Sequence, residues 1–316
     1  MHEGAGMTAA SGDRPRILVT GANGQLGFEL VRTLAPHGEV VAADRSLVDL
    51  SDLDRLRGTI RDMQPDLIVN PAAYTAVDKA ESEPDLAMRI NGEAPGVIAE
   101  EAKRAGAILI HYSTDYVFDG SKDEPYLETD PTGPLSVYGR TKLAGEQAIA
   151  AVGGRQLVFR TSWVYGTRGR NFLLTMRALA EKHDSLRVVA DQVGAPTWSE
   201  TLAELSARIA AQLLAERRDD AAWWAAHAGL YHMTASGSTS WAGFAEAIFS
   251  TSRLARRPSV VAIPSEQYPT PAARPRNSRL SNTKLERVFG VNAPDWRDAL
   301  QACCRRLDAG TDPAGS

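Results

Sequence analysis

The chain has 316 residues, of which 43% are hydrophobic and 23% charged, a composition typical of a folded protein with a sizeable core. Its formal net charge is −4 and it carries no long basic run, which argues against a nucleic-acid partner. The lack of a nucleic-acid signal favours chemistry on a small molecule. No apolar run is long enough to span a bilayer, which argues against a membrane protein.

The two ends of the chain are predicted to be tails. The start, MHEGAGMTAASGDRPR, carries neither an apolar signal core nor an amphipathic Arg-rich face, so we expect residues 1–14 to be disordered and the protein to be cytoplasmic. Residues 309–316 are expected to form a second tail. Cys303 and Cys304 are adjacent on a predicted terminal helix, where neighbouring side chains diverge, so we expect no disulfide and a reducing compartment.

Five short apolar or β-branched runs alternate with longer amphipathic segments. They are RILVT at 16–20, EVVAAD at 39–44, DLIVN at 66–70, AILIHYS at 107–113 and QLVFRTS at 156–162. Strands without polar alternation are buried on both faces, and alternation with helices gives right-handed crossovers. The pattern predicts an α/β fold with a Rossmann-like doubly wound parallel sheet, and a dinucleotide-binding domain over residues 15–165.

The first predicted strand runs directly into TGANGQLG, which precedes a helical segment. Gly21, Gly24 and Gly27 have the spacing G-x-x-G-x-x-G rather than the usual G-x-G-x-x-G. Glycine at these places permits a tight turn and a close approach of a pyrophosphate to the helix N-terminus. Asp44 ends the second strand about twenty residues later, where a carboxylate can accept a ribose hydroxyl. Together these features predict a dinucleotide site.

The same edge of the sheet leaves the choice of nicotinamide cofactor open. Asp44 would repel a 2′-phosphate, whereas the adjacent Arg45 could pair with one. Ala72 and Ala73 follow the third strand, and their small side chains suit close packing of a cofactor. A simple tight loop is the alternative interpretation of these two alanines.

The fourth predicted strand ends in HYSTDYVFDG and brings Thr114 and Asp115 to the carboxyl edge of the sheet, where such folds bind ligands. Further along, VYGRTKLAGE is typical of the first turns of a helix and separates Tyr138 from Lys142 by four positions. Residues at this spacing share a helix face, so the phenol and the ammonium can point into one space. A nearby cation favours phenolate and so predicts proton exchange near neutral pH, whereas the alternative is an exposed pair.

The pattern becomes less regular after about Tyr165. We expect strands at LRVVAD and GLYHMT and a helix over SETLAELSARIAAQLLAE, whereas the Pro/Arg-rich stretch YPTPAARPRNSRL resists regular structure. Residues 166–308 are therefore expected to form a smaller C-terminal lobe, mainly substrate-binding, with some strands returning to the sheet.

These segments together resemble the extended short-chain dehydrogenase/reductases. The glycine turn and the set of Thr114, Tyr138 and Lys142 match that family, and the similarity is greatest to members that reduce a 4-keto sugar linked to dTDP. The resemblance extends in order from about Arg16 to the final helix. The runs that carry it are AAYTAVDKAESEP, HYSTDYVFDG, VYGRTKLAGE, RTSWVYG, DQVGAPT, GLYHMTASG and RPRNSRL.

The resemblance implies that hydride passes from NADPH, with NADH also tolerated, to the 4-keto carbon of a dTDP-linked deoxyhexose. It implies that Tyr138 supplies the proton, Thr114 orients the keto oxygen, and Lys142 holds the nicotinamide ribose and lowers the pKa of the phenol. Tyr74 stands where histidine also occurs in the family. The cofactor-binding segments of the family fall on Gly24, Gln25, Leu26, Asp44, Asp49, Leu50, Ala72, Ala73 and Tyr74.

The resemblance also implies substrate contacts. Thr114 and Asp115 match the sugar-contacting pair, and Trp163 in RTSWVYG matches a tryptophan that packs on the sugar, with a buried core tryptophan as the alternative. Arginines of the last motif could grip a diphosphate through bidentate bonds, and which of them does so is left open. These arginines are Arg274, Arg276 and Arg279.

Some relatives bind magnesium at a dimer interface, so the resemblance leaves both a homodimer and magnesium open. Glu200 and Glu204 are followed by Arg208 and give no credible ligand set, and no His or Cys spacing suggests zinc.

Two alternative functions remain. One is reduction of another nucleotide-linked 4-keto sugar, since fold alone does not decide the substrate. The other is a non-catalytic NADP-binding regulatory subunit resembling the methionine adenosyltransferase beta subunit. The intact catalytic set favours an enzyme.

Overall fold

The computed structural model describes residues 14–217 and 219–310. The predicted tail at residues 1–14 lies outside the described residues except for Arg14, as do residues 311–316 of the second predicted tail. The strands of the described part are β1 (Arg16–Thr20), β2 (Glu39–Ala43), β3 (Leu67–Asn70), β4 (Ile108–Thr114), β5 (Gln156–Thr161), β6 (Val164–Tyr165), β7 (Ser185–Val189), β8 (Val193–Gly194), β9 (Thr197–Trp198), β10 (Gly229–His232), β11 (Thr239–Ser240) and β12 (Ser259–Ile263).

The helices alternate with these strands, and short 3₁₀ or π turns extend some of them. The α-helices are α1 (Gln25–Leu34), α2 (Leu53–Met63), α3 (Val77–Ala80), α4 (Pro84–Met88), α5 (Ala94–Ala105), α6 (Val137–Val152), α7 (Phe172–Ala180), α8 (Ser199–Gln212), α9 (Ala221–His227), α10 (Trp241–Thr251), α11 (Thr283–Phe289) and α12 (Trp296–Asp308). The π-helical segments are Arg89–Glu93 and Leu213–Arg217, and the 3₁₀ turns are Ala35–His37, Asp115–Val117 and Ser265–Gln267.

One six-stranded sheet organises the molecule, in the order β10-β5-β4-β3-β1-β2. Every neighbouring pair in it is parallel. β3, β4 and β5 are buried along their whole length, as their mainly apolar sequences favour when helices cover both faces. The predicted Rossmann-like doubly wound fold is confirmed, and the five predicted strands correspond to β1 to β5.

The second half of the chain builds a lobe and then returns to the sheet. Its strands form three two-stranded pairs, β11-β8, β12-β7 and β6-β9, whereas β10 pairs with β5 at the edge of the large sheet. The predicted strands LRVVAD and GLYHMT correspond to β7 and β10. The Pro/Arg-rich stretch contains no helix or strand beyond isolated bridges, as expected.

Helix α12 closes the lobe and carries both cysteines. Cys303 and Cys304 are buried and free, so neither is in a disulfide. Over residues 14–217 and 219–310, no helix has the length and apolar character that crossing a membrane demands.

Candidate active site

A cleft of about 910 Å³ lies at the carboxyl ends of the sheet strands and extends to the second lobe. Parallel strands end together at this edge, which is where doubly wound folds bind ligands. The cleft brings together most of the residues that the sequence singles out. Those that line it are Gly21, Gly24, Gln25, Leu26, Gly27, Asp44, Arg45, Asp49, Leu50, Ala72, Ala73, Tyr74, Thr114, Asp115, Tyr138, Lys142 and Trp163.

The glycine turn forms one end of the cleft. Gly21 has a φ of +57°, which favours glycine, and a Cβ on Gly27 would lie 2.1 Å from the Gly21 carbonyl oxygen. Helix α1 begins after Gly24, and no side chain caps it. Its first backbone N–H groups are therefore available to an anion, and the residues present fit the pyrophosphate of a dinucleotide.

The loop after β2 holds the two residues that bear on cofactor choice. Asp44 accepts hydrogen bonds from Ser46, at 2.6 Å from the hydroxyl and 2.9 Å from the backbone N–H, and these bonds lower its pKa. Arg45 is 77% exposed at its side chain and lies 3.4 Å from Asp49. The Asp44 carboxylate is thus held by its own loop, whereas the exposed Arg45 side chain has room to move.

Tyr138 stands on the first turn of α6, close to the end of β4. The hydroxyl of Ser136 accepts a hydrogen bond from the Gly139 N–H at 3.2 Å and fixes the start of this helix. Burial raises the pKa of Tyr138 to about 12, and a hydrogen bond with Thr114 only partly opposes this. The charge of Asp115 acts in the same direction as burial, and the lowering of this pKa expected from Lys142 is not found, so the phenol is protonated at neutral pH.

Lys142 lies one turn further along α6 and is 2% exposed. Its Nζ donates to the backbone carbonyl of Tyr112 at 2.6 Å and lies 3.3 Å from Nε2 of His111. Burial lowers the pKa of Lys142 to about 8, and Glu146, one further turn along, opposes that shift. With this pKa, Lys142 is mostly in its ammonium form at neutral pH.

Thr114 and Asp115 form a buried polar pair between the sheet and the second lobe. The Thr114 hydroxyl donates to Asp115 Oδ1 at 3.1 Å. Burial raises the pKa of Asp115 to about 6, against hydrogen bonds from Ser278 and Thr114 that lower it. A hydroxyl and a carboxyl side by side at the cleft can both bind sugar hydroxyl or carbonyl groups.

Trp163 lies at the wall of the cleft and is partly exposed there, which argues against a purely core role. Its φ is +48°, unusual for a bulky residue. Its ring stacks on that of Trp241 with centroids 3.5 Å apart and planes inclined by 7°. A Cβ on Gly194 would lie 2.5 Å from Cε2 of Trp163, so a side chain at that position would press on the indole.

Sequence reasoning missed Trp241 and Gly194. Trp241 lines the cleft and its Nε1 donates to Gln192 at 3.2 Å, which ties the stacked pair to the second lobe. Gly194 lies in the run DQVGAPT, which the sequence singled out as a motif. No sequence spacing links Gly194 or Trp241 to Trp163, because the contacts are between distant segments.

The three arginines of RPRNSRL separate in the structure. Arg274 binds Asp78 at 2.8 and 3.1 Å and lies beside Tyr116, which lines the cleft. Arg276 lies 3.2 Å from Glu266. Arg279 bonds to Asn277 at 2.9 Å and to the backbone carbonyl of Asp123, and none of the three arginines is among the residues that line the cleft. Arg274, which is linked to the cleft only through Tyr116, is the better placed of the predicted diphosphate contacts.

Within residues 14–217 and 219–310, no group of three or more His, Cys, Asp or Glu side chains is arranged to hold a metal ion. Glu200, considered above with Glu204, instead pairs with Arg32 and, at 2.7 Å, with Arg306. Its carboxylate is therefore engaged by two guanidinium groups.

The sheet topology and a cleft that joins the glycine turn to Tyr138 and Lys142 define an extended short-chain dehydrogenase/reductase. The chain matches the RmlD substrate binding domain over residues 15–309 and belongs to that family.

Curated relatives and solved structures that resemble the chain agree with this family assignment. The chain is 50% identical to a dTDP-4-dehydrorhamnose reductase of Burkholderia thailandensis, over 92% of this chain and 99% of that protein. A crystal structure of a dTDP-4-dehydrorhamnose reductase from Clostridium acetobutylicum superposes with a TM-score of 0.84 at 38% identity, covering 92% of this chain and 99% of that one. A crystal structure of a dTDP-4-dehydrorhamnose reductase from Bacillus anthracis in complex with NADP superposes with a TM-score of 0.82 at 34% identity. The match covers 92% of this chain and 98% of that one.

Proposed function

We propose that the chain reduces the 4-keto group of dTDP-4-dehydro-6-deoxy-L-mannose to give dTDP-L-rhamnose, the last step of dTDP-rhamnose biosynthesis, with NADPH as hydride donor. The observation that carries this proposal is the similarity to dTDP-4-dehydrorhamnose reductases along nearly their whole length. The identity to the Burkholderia protein is 50%. The joint presence of Thr114, Tyr138 and Lys142 at one cleft supports catalysis. The homodimer and the cytoplasmic location stay predictions.

Proton transfer is the part of the reaction that this chain's own residues perform. When bound, the reduced nicotinamide supplies hydride to the 4-keto carbon. Tyr138, protonated because burial holds its pKa at about 12, then gives its proton to the oxygen that gains charge. Thr114 orients that oxygen through its hydroxyl, which already contacts the Tyr138 side chain.

The remaining residues of the site bind the cofactor and the substrate. Lys142, mostly ammonium at neutral pH, holds the nicotinamide ribose hydroxyls and places positive charge near the phenol. The exposed ring surface of Trp163 packs on the apolar face of the deoxy sugar. Arg274, beside Tyr116, is the candidate for the diphosphate, and Arg45 is the candidate for the 2′-phosphate that distinguishes NADPH from NADH.

A turnover assay with the purified chain and no partner tests this function. The loss of reduced-nicotinamide absorbance would be followed with NADPH and a small panel of dTDP- and UDP-linked 4-keto-6-deoxy sugars. We expect turnover with dTDP-4-dehydro-6-deoxy-L-mannose to exceed that with the others. A better UDP-linked substrate would favour the alternative sugar reductase, and NADPH binding without turnover on any sugar would favour a regulatory subunit.

A further inference from the structure

A chain of buried polar side chains crosses three strands of the sheet and ends at Lys142. The Thr20 hydroxyl on β1 lies 2.6 Å from Oδ1 of Asn70 on β3, and Nδ2 of Asn70 lies 2.9 Å from Nδ1 of His111 on β4. Nε2 of the same histidine lies 3.3 Å from Nζ of Lys142. None of the four is more than 2% exposed.

The catalytic set named above does not use Thr20, Asn70 or His111. Polar groups are costly to bury in the middle of a parallel sheet, and such groups are normally kept only when their hydrogen bonds are satisfied. The run AILIHYS is otherwise apolar along β4, apart from its end. His111 is therefore an unusual polar side chain inside this strand, and it contacts Lys142 directly.

The donors and acceptors of these four side chains determine the direction of each hydrogen bond between them. An ammonium has only donors, so the nitrogen of His111 that faces Lys142 must accept, and the proton of the neutral ring must then be on Nδ1. An Nδ1–H needs an acceptor, and Asn70 supplies one when its amide is turned by 180° from the orientation in the structure, so that the oxygen rather than Nδ2 faces the ring. The Asn70 nitrogen then faces Thr20, whose hydroxyl can accept as well as donate.

The unturned amide, with Nδ2 of Asn70 facing the ring as in the structure, conflicts with a charged lysine. If the Asn70 nitrogen faces the ring, Nδ1 must accept and the proton must be on Nε2. That N–H would point at the ammonium, so two donors would meet in a site that excludes water. Only a neutral Lys142 would accept from it.

We propose that His111 is a positioning residue for Lys142: its Nε2 accepts a hydrogen bond from the ammonium, and Asn70 and Thr20 hold the ring in the Nδ1–H tautomer that makes this contact. The proposal rests on the proposed function in one respect, which is that Lys142 is the residue that binds the nicotinamide ribose. His111 and the carbonyl of Tyr112 then fix two of the three ammonium donors and direct the third.

The other charged or titratable groups around Lys142 do not replace this contact. Glu146 raises the pKa of Lys142 but is bound by Arg160 of β5, with its two oxygens 2.9 and 2.6 Å from that guanidinium. Tyr138 and Asp115 lie towards the cleft, where the phenol is protonated. Burial lowers the pKa of His111 well below its usual value, which keeps the ring neutral and able to accept.

Two substitutions at His111 and one at a matched histidine test the proposal. Gln in His111→Gln can present a carbonyl oxygen to Lys142, whereas His111→Leu removes the acceptor. His232 on β10 is equally buried in the same sheet but faces the backbone carbonyl of Tyr126, so His232→Gln is the control. We expect NADPH affinity to fall roughly tenfold or more in His111→Leu and to stay within about threefold in the other two variants.

A spectroscopic measurement decides the tautomer without any turnover. The chain has six histidines, so ¹⁵N-histidine labelling gives few signals, and the signal missing from His111→Gln identifies His111. We expect a neutral ring protonated at Nδ1. A ring protonated at Nε2, or His111→Gln as weak in NADPH titration as His111→Leu, would overturn the proposal. Because neither measurement needs a sugar, failure of the proposed reaction would be seen separately.

Discussion

Substituting Gly194 by alanine should displace Trp163 and so test its role at the sugar site. The φ of Gly194 is not in the left-handed region, so alanine fits its backbone and the effect comes from the added methyl group alone. That Cβ would lie 2.5 Å from Cε2 and 2.9 Å from Cζ2 of Trp163. Stacking on Trp241, with ring centroids 3.5 Å apart, leaves the indole little room on that face.

The size of the effect follows from these distances. Carbon atoms pack best at about 3.5–4.0 Å, so the ring must move by about 1 Å or the lobe must shift. Overpacking of this kind costs about 1–3 kcal/mol of stability, and a 1 Å misplacement of a positioning group can cost ~100-fold in rate. We therefore expect kcat/KM for the keto sugar to fall between about 10- and 100-fold, with NADPH affinity almost unchanged.

Steady-state kinetics, NADPH titration and near-ultraviolet circular dichroism on the same variant would check this prediction. A displaced indole should also change the dichroism of the stacked tryptophan pair. Gly58→Ala is the matched control, because an added Cβ there meets nothing within 4 Å in α2 and should stabilise the chain by up to about 1 kcal/mol. Altered dichroism with unchanged sugar kinetics would refute the substrate role of Trp163.

Three further substitutions address the other roles. Tyr138→Phe should lower kcat by about 10²–10⁴-fold and leave NADPH affinity nearly intact, and a loss below about tenfold would contradict its role as proton donor. Lys142→Met should weaken both NADPH binding and turnover, whereas unchanged affinity in a titration would exclude the ribose contact. Arg45→Ala should reduce the preference for NADPH over NADH in steady-state assays, and an equal loss with both cofactors would show that Arg45 does not bind the 2′-phosphate.

Local patterns were enough to predict the sheet and the cofactor end of the cleft. The five mainly apolar runs became β1 to β5, because strands inside a parallel sheet favour apolar sequence, although β2 lies at the sheet edge and is only partly buried. The glycine turn and the Tyr138–Lys142 spacing depend only on backbone geometry within one turn or one helix. Each of these features can be read from fewer than ten consecutive residues.

Features that depend on contacts between distant segments could not be predicted. The stack of Trp163 on Trp241, and the space for it at Gly194, exist only once the second lobe has formed. His111 lay in a run that reads as an ordinary buried strand. The phenol pKa was expected to fall because Lys142 is near, but the degree of burial that raises it is a property of the assembled cleft.

The return of β10 to the large sheet affects how the protein folds during its synthesis. β10 pairs with β5 from Gly229↔Leu157 to His232↔Arg160, and residues 162–228 lie between the two strands. β5 is buried along its whole length and has β4 on one side only until β10 arrives. During synthesis its open edge can pair with another chain until residue 232 has left the ribosome, so this interval is when aggregation is most expected.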